Sequence, residues 1–162
     1  MTITTKGRRT LRNLSAAAAL AGISALASTA AFANGCPAGQ AGDNPLTNAQ
    51  TKPVGVTDTV LEQIDLSKEM VKLADHQFRI RRLVIQPGGV VPLHSHNDRP
   101  ALIYIVSGEI DEYASDCKVP IVHKAGDTSR DADLSHWWKN TGKKPVVLIS
   151  ADILHDPADQ NM

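Results

Sequence analysis

The chain has 162 residues with 17 basic and 17 acidic side chains, so its formal net charge is zero with neutral His. The charges are unevenly placed. Lys6, Arg8, Arg9 and Arg12 lie in the first 33 residues with no acid among them, which leaves 13 bases against 17 acids in the remainder. A mildly acidic domain of 129 residues suits one fold and excludes a nucleic-acid or anionic-membrane partner as the expected ligand.

The N-terminal segment is expected to be a signal peptide, residues 1–33. A basic head, MTITTKGRRTLRN, precedes the small apolar run LSAAAALAGISALASTAAFA, and Ala31-Phe32-Ala33 offers a small-x-small cleavage site. Export would leave the mature protein in the periplasm or secreted, by the general secretory route or the twin-arginine route. Arg8-Arg9 before Thr10-Leu11 resembles a twin-arginine signal, although Arg12 stands where that pattern prefers an apolar residue. Ala33 three residues before Cys36, in place of leucine, argues against a lipoprotein. No later stretch is long and apolar enough to span a bilayer as a helix.

Residues 34–56 are rich in Gly, Pro, Asn, Ala and Gln, and read as an extended arm. The two cysteines, Cys36 and Cys117, have a spacing unsuited to a CxxC redox motif, and two unpaired thiols are the alternative to a bridge. In an oxidising compartment a disulfide between them would tie the arm to the domain.

From residue 57 to 155 short β-type runs recur: VLEQIDL, HQFRIRRLVI, VVPLHSH, ALIYIVSGE, EIDEYAS, VPIVHKAGD, SHWWKNTG and KPVVLISADIL. Pro-Gly-Gly, Ser-Gly, Ala-Gly-Asp and Asn-Thr-Gly separate them at the spacing of an all-β sandwich or barrel. LEQIDLSKEMVKLADH has room for one helical turn, but no long stretch keeps a 3.6-residue period. Residues 156–162 form a C-terminal tail.

Within PLHSHNDRPALIYIVSGE, His94 and His96 stand two residues apart. On a strand they face the same side, which suits chelation of one ion. Trp137 and Trp138 would face opposite sides, one toward the core or pocket and one toward an edge or dimer surface.

GGVVPLHSHNDRPALIYIVSG resembles the first motif of the cupin superfamily, with Gly88, His94, His96 and Gly108 on its spacing and Ala101 where the family carries a glutamate. GDTSRDADLSHWWKN resembles the second motif through Gly126, His136 and Asn140, one residue short between Gly and His. The resemblance implies an all-β double-stranded β-helix, or jelly-roll barrel. It also implies one divalent transition metal on His94, His96 and His136. Iron is the first expectation, with Zn, Mn, Ni and Cu as alternatives.

Three-His cupin sites occur in some dioxygenases, so a metal-dependent dioxygenase or isomerase of a small organic substrate is the leading reading. A non-catalytic periplasmic small-molecule-binding or sensing cupin is the alternative, and a structural or storage barrel is a third; a metal-free barrel with its histidines hydrogen-bonded in a polar pocket is the plain reading of the same motif. Loss of the glutamate leaves the full charge of the metal and favours an anionic ligand. Asp98 is one replacement carboxylate, although NDRP reads as a turn that its side chain would cap. Arg99 and Tyr104 are candidates to contact substrate, and Tyr113 is a further phenol, each with packing or surface pairing as the ordinary role. A homodimer through edge strands is implied by resemblance. His76, His123 and His155 fall outside both motifs and receive no role.

Overall fold

The computed structural model describes residues 1–2 and 35–155. The expected signal peptide lies almost wholly outside them, and the tail lies outside entirely. Eight strands follow in order: β1 Val54–Asp65, β2 His76–Ser95, β3 Ala101–Ser107, β4 Glu109–Ala114, β5 Ile121–Lys124, β6 Thr128–Asp131, β7 Ser135–Lys139 and β8 Val146–His155. No helix occurs among the described residues, and none is long and apolar enough to cross a membrane. The one helical turn allowed between β1 and β2 is a series of turns instead. Lys68, Glu69 and Lys72 each donate a backbone N–H three residues back, but Lys72 and Asp75 take positive φ and interrupt any helix.

The spatial order is β5-β4-β7-β2-β8-β3-β6, with β1 beside β2, and every pair is antiparallel. The two ends of that order, β5 and β6, are consecutive in the chain and joined only by Ala125-Gly126-Asp127. This short turn brings the sheet's ends together, so the sheet rolls into a nearly closed jelly-roll barrel.

β2 corrects one expectation. The Pro-Gly-Gly break does not end a strand; β2 runs through it for 20 residues. Residues 76–85 pair with β8 and residues 90–95 with β7, so the break is the corner where the strand changes partner. Gly88 takes φ 75°, and a Cβ on Gly89 would lie 2.7 Å from the Gln86 carbonyl oxygen. Only glycine fits there without displacement. Asn140 secures the corner: its side-chain amide donates to the Ile85 and Lys144 carbonyls at 3.0 and 2.8 Å.

Inward-facing Leu83, Ile85, Val91, Ile103, Ile105, Ile110, Trp138, Val146 and Leu148 build the apolar floor of the barrel. They follow the period-2 rule along each strand.

β1 begins at Val54, inside the stretch read as arm, because Val54 and Val56 pair with Val90 and Ile85. The arm before it is fastened to the loop after β4. Cys36 and Cys117 form a disulfide, Ala41 bridges Cys117, and Gly42 and Asn44 donate backbone N–H groups to Asp116 and Ser115.

Candidate metal centre

The local chain geometry brings three imidazoles to one point. A register shift in the β2–β7 ladder between Val91 and His94 re-aims β2 after its corner, so His94 faces inward. His96 follows just past the strand end, on the same side. His136 is the direct cross-strand partner of His94, and paired antiparallel residues present side chains to the same face.

The Nε2 atoms converge: His94 to His96 is 3.0 Å and His94 to His136 is 3.1 Å. Each opposite nitrogen is engaged elsewhere. Nδ1 of His94 donates to the Pro92 carbonyl at 2.8 Å, Nδ1 of His96 to the Arg99 carbonyl at 2.6 Å, and Nδ1 of His136 to Glu112 Oε1 at 2.5 Å. With Nδ1 protonated in all three, three Nε2 lone pairs point at one another with no proton between them. That arrangement is repulsive unless a cation sits among them. The donor set therefore fits a divalent transition metal. The two spacings match the ~3.0 Å edge of an octahedron with metal–nitrogen bonds of about 2.1 Å.

The surroundings also disfavour protons on the ring nitrogens. Burial, then the neighbouring His136, lowers His94 to about 2, and the same two causes lower His96 to about 4. Neutral imidazole is the ligand form, so the site is poised for metal well below neutral pH.

A second layer holds His136. Glu112, on β4, accepts from His136 through Oε1 and from His123 Nε2 through Oε2 at 2.8 Å. Burial raises its pKa, but the two imidazole hydrogen bonds outweigh this and keep it an anion. His123 stacks on Trp138 with ring centroids 4.8 Å apart. Trp138 stands edge-on to His136 at 82°. The sequence motifs do not include Glu112 and leave His123 without a role; the structure places both behind His136. Their signal was parity: Glu112 sits between Ile110 and Ala114, and His123 two residues after Ile121, all on the buried side of their strands.

The cavity over the histidines is small, with a volume of about 20 Å³. Leu83, Val91, Ile103, Trp138 and Leu148 supply its apolar wall, and Arg81 and Ser150 its polar one. Arg81 is ion-paired to Asp58, and to Asp152 at 3.3 Å, while its Nε is buried without a hydrogen-bond partner.

Other expected residues are placed differently. Tyr104 lies on the outer face of β3, 47% exposed between the outward-facing Leu102 and Val106, and does not line the cavity. The alternation that sends Ile103 and Ile105 inward sends Tyr104 out. Tyr113 stacks on Trp137 at 4.1 Å, outside the cavity lining. The two tryptophans do face opposite sides, Trp138 into the cavity and Trp137 onto Tyr113, but both are buried. Asp98 is exposed in the bend after β2 and belongs to neither metal-competent cluster among the described residues. Arg99 is buried rather than at an open mouth, and close enough to depress both His94 and His96. His76 and His155 stack on each other at 4.4 Å as cross-strand partners of β2 and β8.

The family model described as "Cupin domain" matches residues 81–152. No curated protein matches. Among solved structures, an uncharacterised conserved protein with a double-stranded β-helix domain from Klebsiella pneumoniae is 18% identical, with TM-score 0.49, covering 63% of this chain and 81% of its own. A predicted oxalate decarboxylase from Thermotoga maritima is 24% identical, with TM-score 0.45, covering 65% and 93%. KdgF from a Halomonas species is 14% identical, with TM-score 0.48, covering 63% and 82%.

Proposed function

We propose, from the match of residues 81–152 to the cupin family model, that this chain is an exported metalloprotein. In this reading it binds one divalent transition metal, iron first, on His94, His96 and His136, and oxidises or isomerises a small organic molecule there. One observation carries the reading: three Nε2 atoms converge while each Nδ1 is held by a separate acceptor. The bound metal would act as a Lewis acid and, if iron, as a site for oxygen chemistry.

The chain's own residues set the rest. Glu112 orients His136, the Pro92 and Arg99 carbonyls orient His94 and His96, and the apolar wall excludes bulk water. The partnerless Nε–H of Arg81 supports a substrate with a carboxylate or carbonyl oxygen. Export is supported by the basic-apolar leader and by the Cys36–Cys117 disulfide, which belongs to oxidising compartments. β1 pairs only with β2 among the described strands, and its other edge supports pairing of two copies.

The test is elemental analysis of the chain isolated without an affinity tag, beside His94→Ala and His136→Ala, followed by oxygen uptake with small carboxylate and diketone substrates. Near-stoichiometric metal that both variants lose is expected. A chain that is metal-free and refuses added Fe(II), Zn, Mn, Ni and Cu would refute the metal reading. Metal without oxygen uptake or isomerisation would favour a binding protein.

A further inference from the structure

We propose that the outer face formed by β1, β2, β8, β3 and β6 docks a second copy of this chain, sheet against sheet, about a two-fold axis running along β8. This contact is separate from pairing through the open edge of β1 and does not depend on the metal.

The strand register builds the face. Residues paired across antiparallel strands point to the same side, and one unbroken row crosses five strands. Glu62 pairs with Ile80, Ile80 with Ala151, Ala151 with Leu102, and Leu102 with Arg130. The next row on the same side is Thr59, Arg82, Ile149, Tyr104 and Thr128. Both rows lie outside the barrel, because Arg81, Ile103 and Ser150, of the opposite parity, line the inner cavity.

The middle of this face is apolar and open. Ile64, Phe78, Ile80, Leu102, Tyr104 and Val106 are each between 38 and 63% exposed. Together they leave on the order of 500 Å² of large apolar side chain in water, a patch of the size that serves a contact. With the half-buried Ile149 and Ile153 and a polar border, it approaches the ~800 Å² that a stable interface buries on each partner.

The charges select the occupant and its orientation. The first row carries its acid on β1 and its arginine on β6, with apolar residues between. A two-fold axis along β8 exchanges the two sides, so Glu62 of one copy lies over Arg130 of the other, and the reverse. The same operation sets Ile80 over Leu102 and Arg82 over the ring of Tyr104, a cation on an aromatic face. Ala151 and Ile149 meet their own counterparts. Sheets stacked in this way stand about 10 Å apart with strands within about 30° of alignment, a gap that glutamate and arginine span from opposite sides. The other two-fold in the plane of the face, across the strands, would bring β1 onto β1 and β6 onto β6, like charge near like. Among the described residues Glu62, Arg82 and Arg130 have no ion-pair partner, and the second copy supplies one for Glu62 and Arg130.

The experiment measures self-association of the chain, isolated without an affinity tag, by analytical ultracentrifugation across the micromolar range. Beside it run Glu62→Arg, Arg130→Glu, the double reversal and Leu102→Asp, each checked for an unchanged far-ultraviolet spectrum. The parent is expected to be a dimer. Each single reversal should weaken it at least ~10-fold, and the double reversal should return it to within about threefold of the parent. Leu102→Asp, three strands away from β1, should weaken it as well. If Leu102→Asp and both single reversals dimerise like the parent, the face is overturned and the β1 edge is left as the contact. A double reversal as weak as the single ones would overturn the Glu62–Arg130 row and with it the axis. A parent that stays monomeric at every concentration overturns face and edge together.

Discussion

Glu112→Gln tests whether the second layer fixes the protonation of the ligand it supports. Glu112 offers two oxygens, one to His136 Nδ1–H and one to His123 Nε2–H. Glutamine keeps the volume but has one acceptor oxygen and one NH2 group. With its oxygen toward His136, the amide faces His123, donor against donor, and His123 must change tautomer or tilt. With its NH2 toward His136, Nδ1 must become an acceptor, the proton moves to Nε2, and the ligand lone pair is lost. Either way the formal charge that makes Glu112 a strong acceptor disappears. Loss of such an outer partner costs about 10–100-fold in metal affinity, or ~1.4–2.7 kcal/mol. Chelator competition with Fe(II) under anaerobic conditions measures this directly, with His123→Gln as the milder companion because it leaves the Glu112–His136 bond in place. Binding by Glu112→Gln within threefold of the parent would refute the view that Glu112 sets the His136 tautomer.

Three further outcomes are expected. Replacing Cys36 and Cys117 by serine releases a loop with ends 81 residues apart; chain entropy makes this about 4.5 kcal/mol, a drop in melting temperature on the order of 10 °C, and a scan that moves by less than 3 °C would show that the bridge adds little. Tyr104→Phe should leave metal content and turnover unchanged, because its ring is on the outer face of β3; a fall in either would return Tyr104 to the site. Metal-free protein should lose stability as pH falls from about 6.5 toward 5, because the unfolded chain protonates His94 and His96 while the fold holds them near 2 and 4. At pH 5 this amounts to ~2 kcal/mol for each, partly offset by Asp131, which burial raises to about 6 and which therefore favours the fold as pH falls; urea melts at pH 7.5 and 5 that coincide would contradict these directions.

The parts of this site that were legible in the sequence are those encoded along a single strand. His94 and His96 share a face by period 2, and the glycines at 88, 108 and 126 stand at positive φ where strands turn or change partner. The alternation of Ile103 and Ile105 against Leu102, Tyr104 and Val106 runs along β3 in the same way; it sends Tyr104 outward, which the reading of Tyr104 as a substrate contact did not use. What a strand-by-strand reading does not encode is pairing. His136 sits beside His94, and Asp131 beside Ala101, only because β2 meets β7 and β3 meets β6.

Pairing also explains why the carboxylates were missed. Glu112, Asp131 and Asp152 occupy core parity in strands whose other inward residues are apolar or small. An acid at such a position costs several kcal/mol unless it is paired or holds a cation. Asp152 has its two arginines and Glu112 its two imidazoles; Asp131 has one hydroxyl and a free oxygen. Read this way, the inner face of the barrel carries three buried acids, and Asp131, 3.9 Å from His136 Nε2, is the one whose charge its neighbours balance least.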